Sequence, residues 1–88
     1  MDETIKVHQR VFERHPSITK ADVENAWENA LRYVQRTSVS GDAVVAIGPD
    51  TAGRIIEMVG VCLSDGSWLI YHAMRPPSKS TLEELGLI

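Results

Sequence analysis

The sequence predicts an α+β fold: one or two N-terminal helices, a three-stranded antiparallel sheet with a two-residue hairpin, and a short C-terminal helix. Three observations predict it. SITKADVENAWENALRYVQR repeats its apolar residues with helical spacing. DAVVAIG, IIEMVGVCL and WLIYHAM are β-branched or aromatic runs separated by turn residues. Asp65-Gly66 sits between the last two runs, the dipeptide that most strongly signals a tight hairpin. The 88 residues predict one domain, 1–88, because a chain of this length does not enclose two cores.

In the first helical stretch, Val7, His8, Val11, Phe12 and His15 suggest a short helix ending near Pro16, since the residue before proline disfavours helical geometry. In the next stretch Thr19 is placed to cap, with Asp22 at the capping-box position and Ile18 and Val23 at staple spacing. Val23, Trp27, Ala30, Leu31 and Val34 then form one apolar stripe, so the helix is expected to run through residue 34. At the other end of the chain, STLEELGLI has a cap at Ser80 or Thr81 and leucines at 82, 85 and 87 to dock on the sheet.

Between these helices, a type I′ loop at Asp65-Gly66 pairs Ser64 with Ser67. That register sets Val59 opposite His72, Glu57 opposite Met74 and Ile56 opposite Arg75. One face then carries Ile55, Glu57, Val59, Val61, Ile70, His72 and Met74. It is the richer in large apolar groups and is expected to meet the long helix. Arg54, Tyr71 and Arg75 fall on the other face.

The composition bounds the function. A net charge of −3 (9 Lys+Arg against 12 Asp+Glu) gives no general attraction to nucleic acid, although a local basic patch remains compatible with it. One cysteine, Cys62, excludes an internal disulfide framework, and no Cys/His spacing matches a zinc site, so no metal and no cofactor are expected. MDETIKVHQR lacks the basic start and apolar run of a signal peptide, and no run approaches ~18 apolar residues. A soluble cytoplasmic protein with no membrane partner is the expectation.

Two groups of polar residues are candidates for a site. Glu57 can orient His72 for proton transfer, or the two form a hydrogen-bonded structural pair. Arg54 and Arg75 can grip a phosphate, with Tyr71 stacking on a base or donating a proton, or they are solvated strand-end residues and partner contacts. Metal-free RNA cleavage needs an acid or base near the 2′-hydroxyl and leaving oxygen, and cations on the pentavalent phosphate. These residue types suffice.

GRIIEMVGV, an Asp-Gly hairpin and then LIYHAMRPPSKSTLEEL resemble the BrnT-type toxins of the RelE-like ribonuclease superfamily, and small actinobacterial relatives of that family, over about residues 8 to 85. The resemblance implies a toxin-like αβ fold, a metal-independent endoribonuclease and a partner antitoxin with a ribbon-helix-helix portion. Arg75 falls where the family's last strand has a basic residue, Arg54 at the start of the middle strand and His72 at a polar position of the last strand. The family's last strand carries two adjacent arginines, whereas Met74 precedes Arg75 here and Pro76 follows it; the pI of 5.5 also departs from the basic toxins. A non-catalytic homodimeric interaction module, associating through a sheet face or edge, is the alternative expectation.

Overall fold

The computed structural model describes residues 4–38 and 41–88. In chain order the elements are β1 (Ile5–Val7), α1 (Gln9–Arg14), α2 (Lys20–Glu28), β2 (Arg32–Ser38), β3 (Gly41–Pro49), β4 (Ile55–Cys62), β5 (Trp68–Met74) and α3 (Lys79–Glu84). The α+β class holds, but the sheet has five strands in the order β1-β5-β4-β3-β2, rather than three. It is also mixed: β1 lies parallel to β5 and the remaining pairs are antiparallel.

Both extra strands have a physical reason. β1 is three residues long, too short for a period to show, and its pairing with β5 defines it. β2 replaces the second half of the expected long helix, which ends at Glu28 with Asn29 as its cap. Val34 fits a helical stripe, but RYVQRTS also alternates as a strand. Pairing with β3, Val34 opposite Val45 and Tyr33 opposite Ala46, decides the outcome.

The start of α2 follows the sequence closely. Thr19 Oγ1 accepts from the Asp22 amide at 3.1 Å and Asp22 Oδ2 accepts from the Thr19 amide at 3.0 Å, which completes the capping box. Ile18 and Val23, the staple residues, are both buried. The cap of α3 is Ser78 in place of the expected Ser80 or Thr81.

The hairpin loop differs from the expected two-residue form. Leu63 N–H donates to the Ser67 carbonyl (2.7 Å) and Gly66 N–H to the Leu63 carbonyl (3.0 Å), so the loop is Ser64-Asp65-Gly66, with Gly66 at φ 86°. This is the three-residue turn that places glycine in the left-handed region. The pairing near the loop is therefore shifted by one, with Cys62 opposite Trp68 and Gly60 opposite Ile70. A bulge at Val59/Gly60, with Tyr71 as the extra residue, then shifts it back. Val59 faces His72 and Glu57 faces Met74, as the sequence predicts.

The long helix lies on the face opposite to the one expected. α1 and α2 cover the side bearing Ala46, Ile56, Met58, Ile70 and Ala73, which with Val11, Ile18, Val23 and Ala26 form the main core. Small residues decide this. A Cβ at Gly48 would lie 2.0 Å from the Ala26 carbonyl oxygen, and one at Gly60 would lie 3.2 Å from the Trp27 ring. Only a face with such clearings lets a helix backbone approach this closely. The Glu57 face instead receives α3; its Thr81 and its C-cap Leu85 are buried, and the Ser78 amide that precedes it donates to Glu57. Arg32 and Arg36 of β2 fasten that layer: Arg32 donates to the Leu85 carbonyl (3.1 Å), and Arg36 makes a two-pronged ion pair with Glu84.

Candidate functional site

On the α3 side of the sheet, Glu57 and His72 stand diagonally on adjacent strands. His72 Nε2 lies 2.7 Å from Glu57 Oε2. Oε1 of the same carboxylate accepts the Ser78 amide at 2.6 Å, so Glu57 ties the start of α3 to the sheet. Glu57 is buried, and burial raises its carboxyl. The Ser78 amide, His72 and the hydroxyls of Thr81 and Ser78 together outweigh that and hold it below its ordinary 4.5. An ionised Glu57 requires a proton on Nε2. In neutral His72 that leaves Nδ1 as the acceptor, and Nδ1 has no hydrogen-bond partner among the described residues. The His72 side chain is 32 % exposed. A buried carboxylate thus fixes an imidazole that solvent can still reach.

At the open end of the hairpin, Arg54 and Arg75 do converge, and the group between them is Asp50. Asp50 Oδ2 accepts from Arg54 Nε at 3.2 Å and from Arg75 Nη1. Oδ1 accepts from the amides of Ala52 (2.8 Å) and Arg54 (2.9 Å). Burial raises the Asp50 carboxyl, but these amides and the two guanidinium charges prevail and hold it below 3.8. Arg75 is spent further on Ser17, through Nη2 to both the carbonyl and the hydroxyl. Its side chain is only 13 % exposed, against 61 % for Arg54. The network continues into α2. Asn25 Nδ2 donates to the Pro49 and Asp50 carbonyls, and Asp22 Oδ1 accepts the Thr51 amide and hydroxyl at 3.0 and 2.6 Å.

Tyr71 is the bulged residue beside His72. Arg10 of α1 donates its Nε to the Tyr71 carbonyl at 3.0 Å and lies over the ring, with Cζ 5.5 Å from the centroid. The structure therefore keeps His72, Glu57 and Tyr71 in one neighbourhood and sets Arg54 and Arg75 in another, around an internal carboxylate. Sequence reasoning missed Asp50 and Arg10. The i,i+4 spacing of Asp50 and Arg54 within PDTAGR is a signal for the first; the second has none, because Arg10 and Tyr71 are 61 positions apart.

A third feature lies on the α2 side. Trp27, Glu28, Ala30, Tyr33, Val44, Ala46 and Trp68 line a groove of about 400 Å³ next to the β2 edge. Tyr33 there is 69 % exposed. Among the described residues no three His, Cys, Asp or Glu side chains are placed to hold a metal, and no helix is long and apolar enough to cross a membrane. No protein-family model, curated protein or solved structure matches the chain.

Proposed function

We propose that this protein is a RelE/BrnT-like toxin-fold ribonuclease that cleaves RNA without a metal, with His72 as the proton-transfer group. The observation that supports it is the Glu57–His72 pair: the buried carboxylate takes Nε2 and leaves Nδ1 of a part-exposed imidazole as the free basic nitrogen. Nδ1 takes the proton of a 2′-hydroxyl. The 2′-oxygen attacks the adjacent phosphorus, the bond to the 5′-oxygen breaks, and Tyr71 supplies that oxygen's proton. Glu57 stabilises the imidazolium that forms. In this reading a ribbon-helix-helix antitoxin neutralises the protein by covering the His72 face, and without it the chain pairs as a homodimer.

The second reading, a non-catalytic homodimeric interaction module, is favoured by a different observation. Exposed Leu31, just before the edge strand β2, and exposed Tyr33, within it, lie at the sheet edge that carries the tryptophan-lined groove. Induction of the wild type and of His72→Ala in bacteria separates the two. Growth arrest with loss of intact RNA, abolished in His72→Ala, is the expected result for the ribonuclease. An inert wild type that runs as a dimer in solution supports the module instead.

A further inference from the structure

A metal-free ribonuclease is helped by a cation where negative charge accumulates on the phosphoryl oxygens, and most arginines of this sheet are already engaged. Arg75 is bound through both terminal nitrogens, Arg54 is turned toward Asp50, and Arg36 takes Glu84 with two of its nitrogens. Arg10 differs. Its Nε is fixed on the Tyr71 carbonyl, and its guanidinium rests on the Tyr71 ring. Its two terminal nitrogens have no hydrogen bond and no acidic partner among the described residues. The result is a planar cation clamped at its inner edge and open at its outer one.

Its location follows from the bulge. Tyr71 has no partner on β4, and the carbonyl that holds Arg10 belongs to the peptide joining Tyr71 to His72. The peptide that accepts from Arg10 is therefore the one leading into His72, whose imidazole is held in turn by Glu57. A guanidinium held this way loses little rotamer freedom on gripping an anion, and its fork matches two oxygens of a phosphate.

We infer that Arg10, with His72, forms a phosphate-binding site that takes the phosphodiester of single-stranded RNA, with Tyr71 as the platform that positions the guanidinium. This rests on the ribonuclease reading for the identity of the ligand, and assigns the anion-holding role there to an arginine of α1 instead of Arg54 or Arg75.

The probe is a fluorescein-labelled single-stranded 2′-O-methyl RNA 12-mer, which lacks the attacking hydroxyl and reports binding alone. Fluorescence anisotropy over a salt series is expected to show wild-type binding. Arg10→Met should weaken it roughly tenfold and lower the slope of log K against log salt by about one, the loss of one phosphate contact. Arg10→Lys keeps a charge without the fork and should fall between the two. Arg54→Met should change affinity less than about twofold, since that contact is not a phosphate contact here. Thermal melting of each variant confirms that it is folded. A wild type that does not bind, an Arg10→Met that binds like wild type, or an equal loss in Arg54→Met overturns the inference. Cleavage of unmodified RNA is scored separately. Binding that depends on Arg10 with no cleavage sustains the site and removes the ribonuclease; cleavage unaffected in Arg10→Met removes the site alone.

Discussion

Asp50, in the β3–β4 turn, and Glu57, on β4, are both buried carboxylates, and their surroundings differ in one respect. Asp50 is enclosed by two amides and two guanidiniums, and one of those arginines is itself nearly buried. Glu57 is held by an amide from within, while its other oxygen meets an imidazole that is one-third open to water. In the first case each charge is consumed in joining the β3–β4 turn to β5 and α2. In the second the carboxylate orients an imidazole whose Nδ1 has no hydrogen-bond partner among the described residues. A buried ion pair is therefore not by itself a sign of a site; what matters is whether one partner keeps an unbonded atom on a side chain that solvent still reaches.

The contrast breaks most directly at Asp50. Asp50→Ala leaves the largely buried Arg75 without its counter-charge and removes the acceptor of two turn amides. A loss of about 3 kcal/mol in urea-unfolding free energy is expected. A loss below ~1 kcal/mol, within the range of exposed pairs, would show that the clasp is incidental. Glu57→Ala strands the Ser78 amide and loosens α3, but His72 can turn to water, so a smaller loss of about 2 kcal/mol is expected by the same measurement.

The two sites share a response to acid. Asp22, Asp50 and Glu57 all have carboxyls held below their ordinary values in the fold. Each therefore contributes stability that is present above the unfolded value, 3.8 for Asp and 4.5 for Glu, and that is lost as pH falls through the lower folded value. The urea midpoint should be level from pH 7 to about 5 and fall progressively below about 4.5. In Asp50→Asn that decline should be shallower. The smallest effect on stability sharpens the contrast furthest: His72→Ala should cost under ~1 kcal/mol in the same titration, as expected for a part-exposed side chain, while removing RNA cleavage altogether.

Local features of this fold were legible in the sequence. The Thr19–Asp22 box and the Ile18–Val23 staple involve residues three and five positions apart, and both form as read. The Glu57–His72 neighbourhood was also legible, because alternation and a hairpin signal place it. Features that depend on a distant partner were not. Residues 32–38 satisfy helical and extended periods alike until β3 pairs with them, and β1 exists only through β5. Which face receives α2 depended on Gly48 and Gly60, whose missing side chains carry no weight in a count of apolar groups. Arg54 and Arg75 meet at one carboxylate, and that carboxylate is Asp50, a turn residue whose main signal in the sequence is punctuation.

The added residue in the 64–66 loop and the added residue at Tyr71 act on the hairpin as an insertion and its suppressor act on a reading frame. Because of the extra residue, Ile70 and His72, two positions apart on one strand, serve opposite faces of the sheet: Ile70 joins the core with Met58, and His72 meets Glu57. One strand thus supplies both layers, a residue to the helix-covered core and, two positions later, a residue to the face beneath α3.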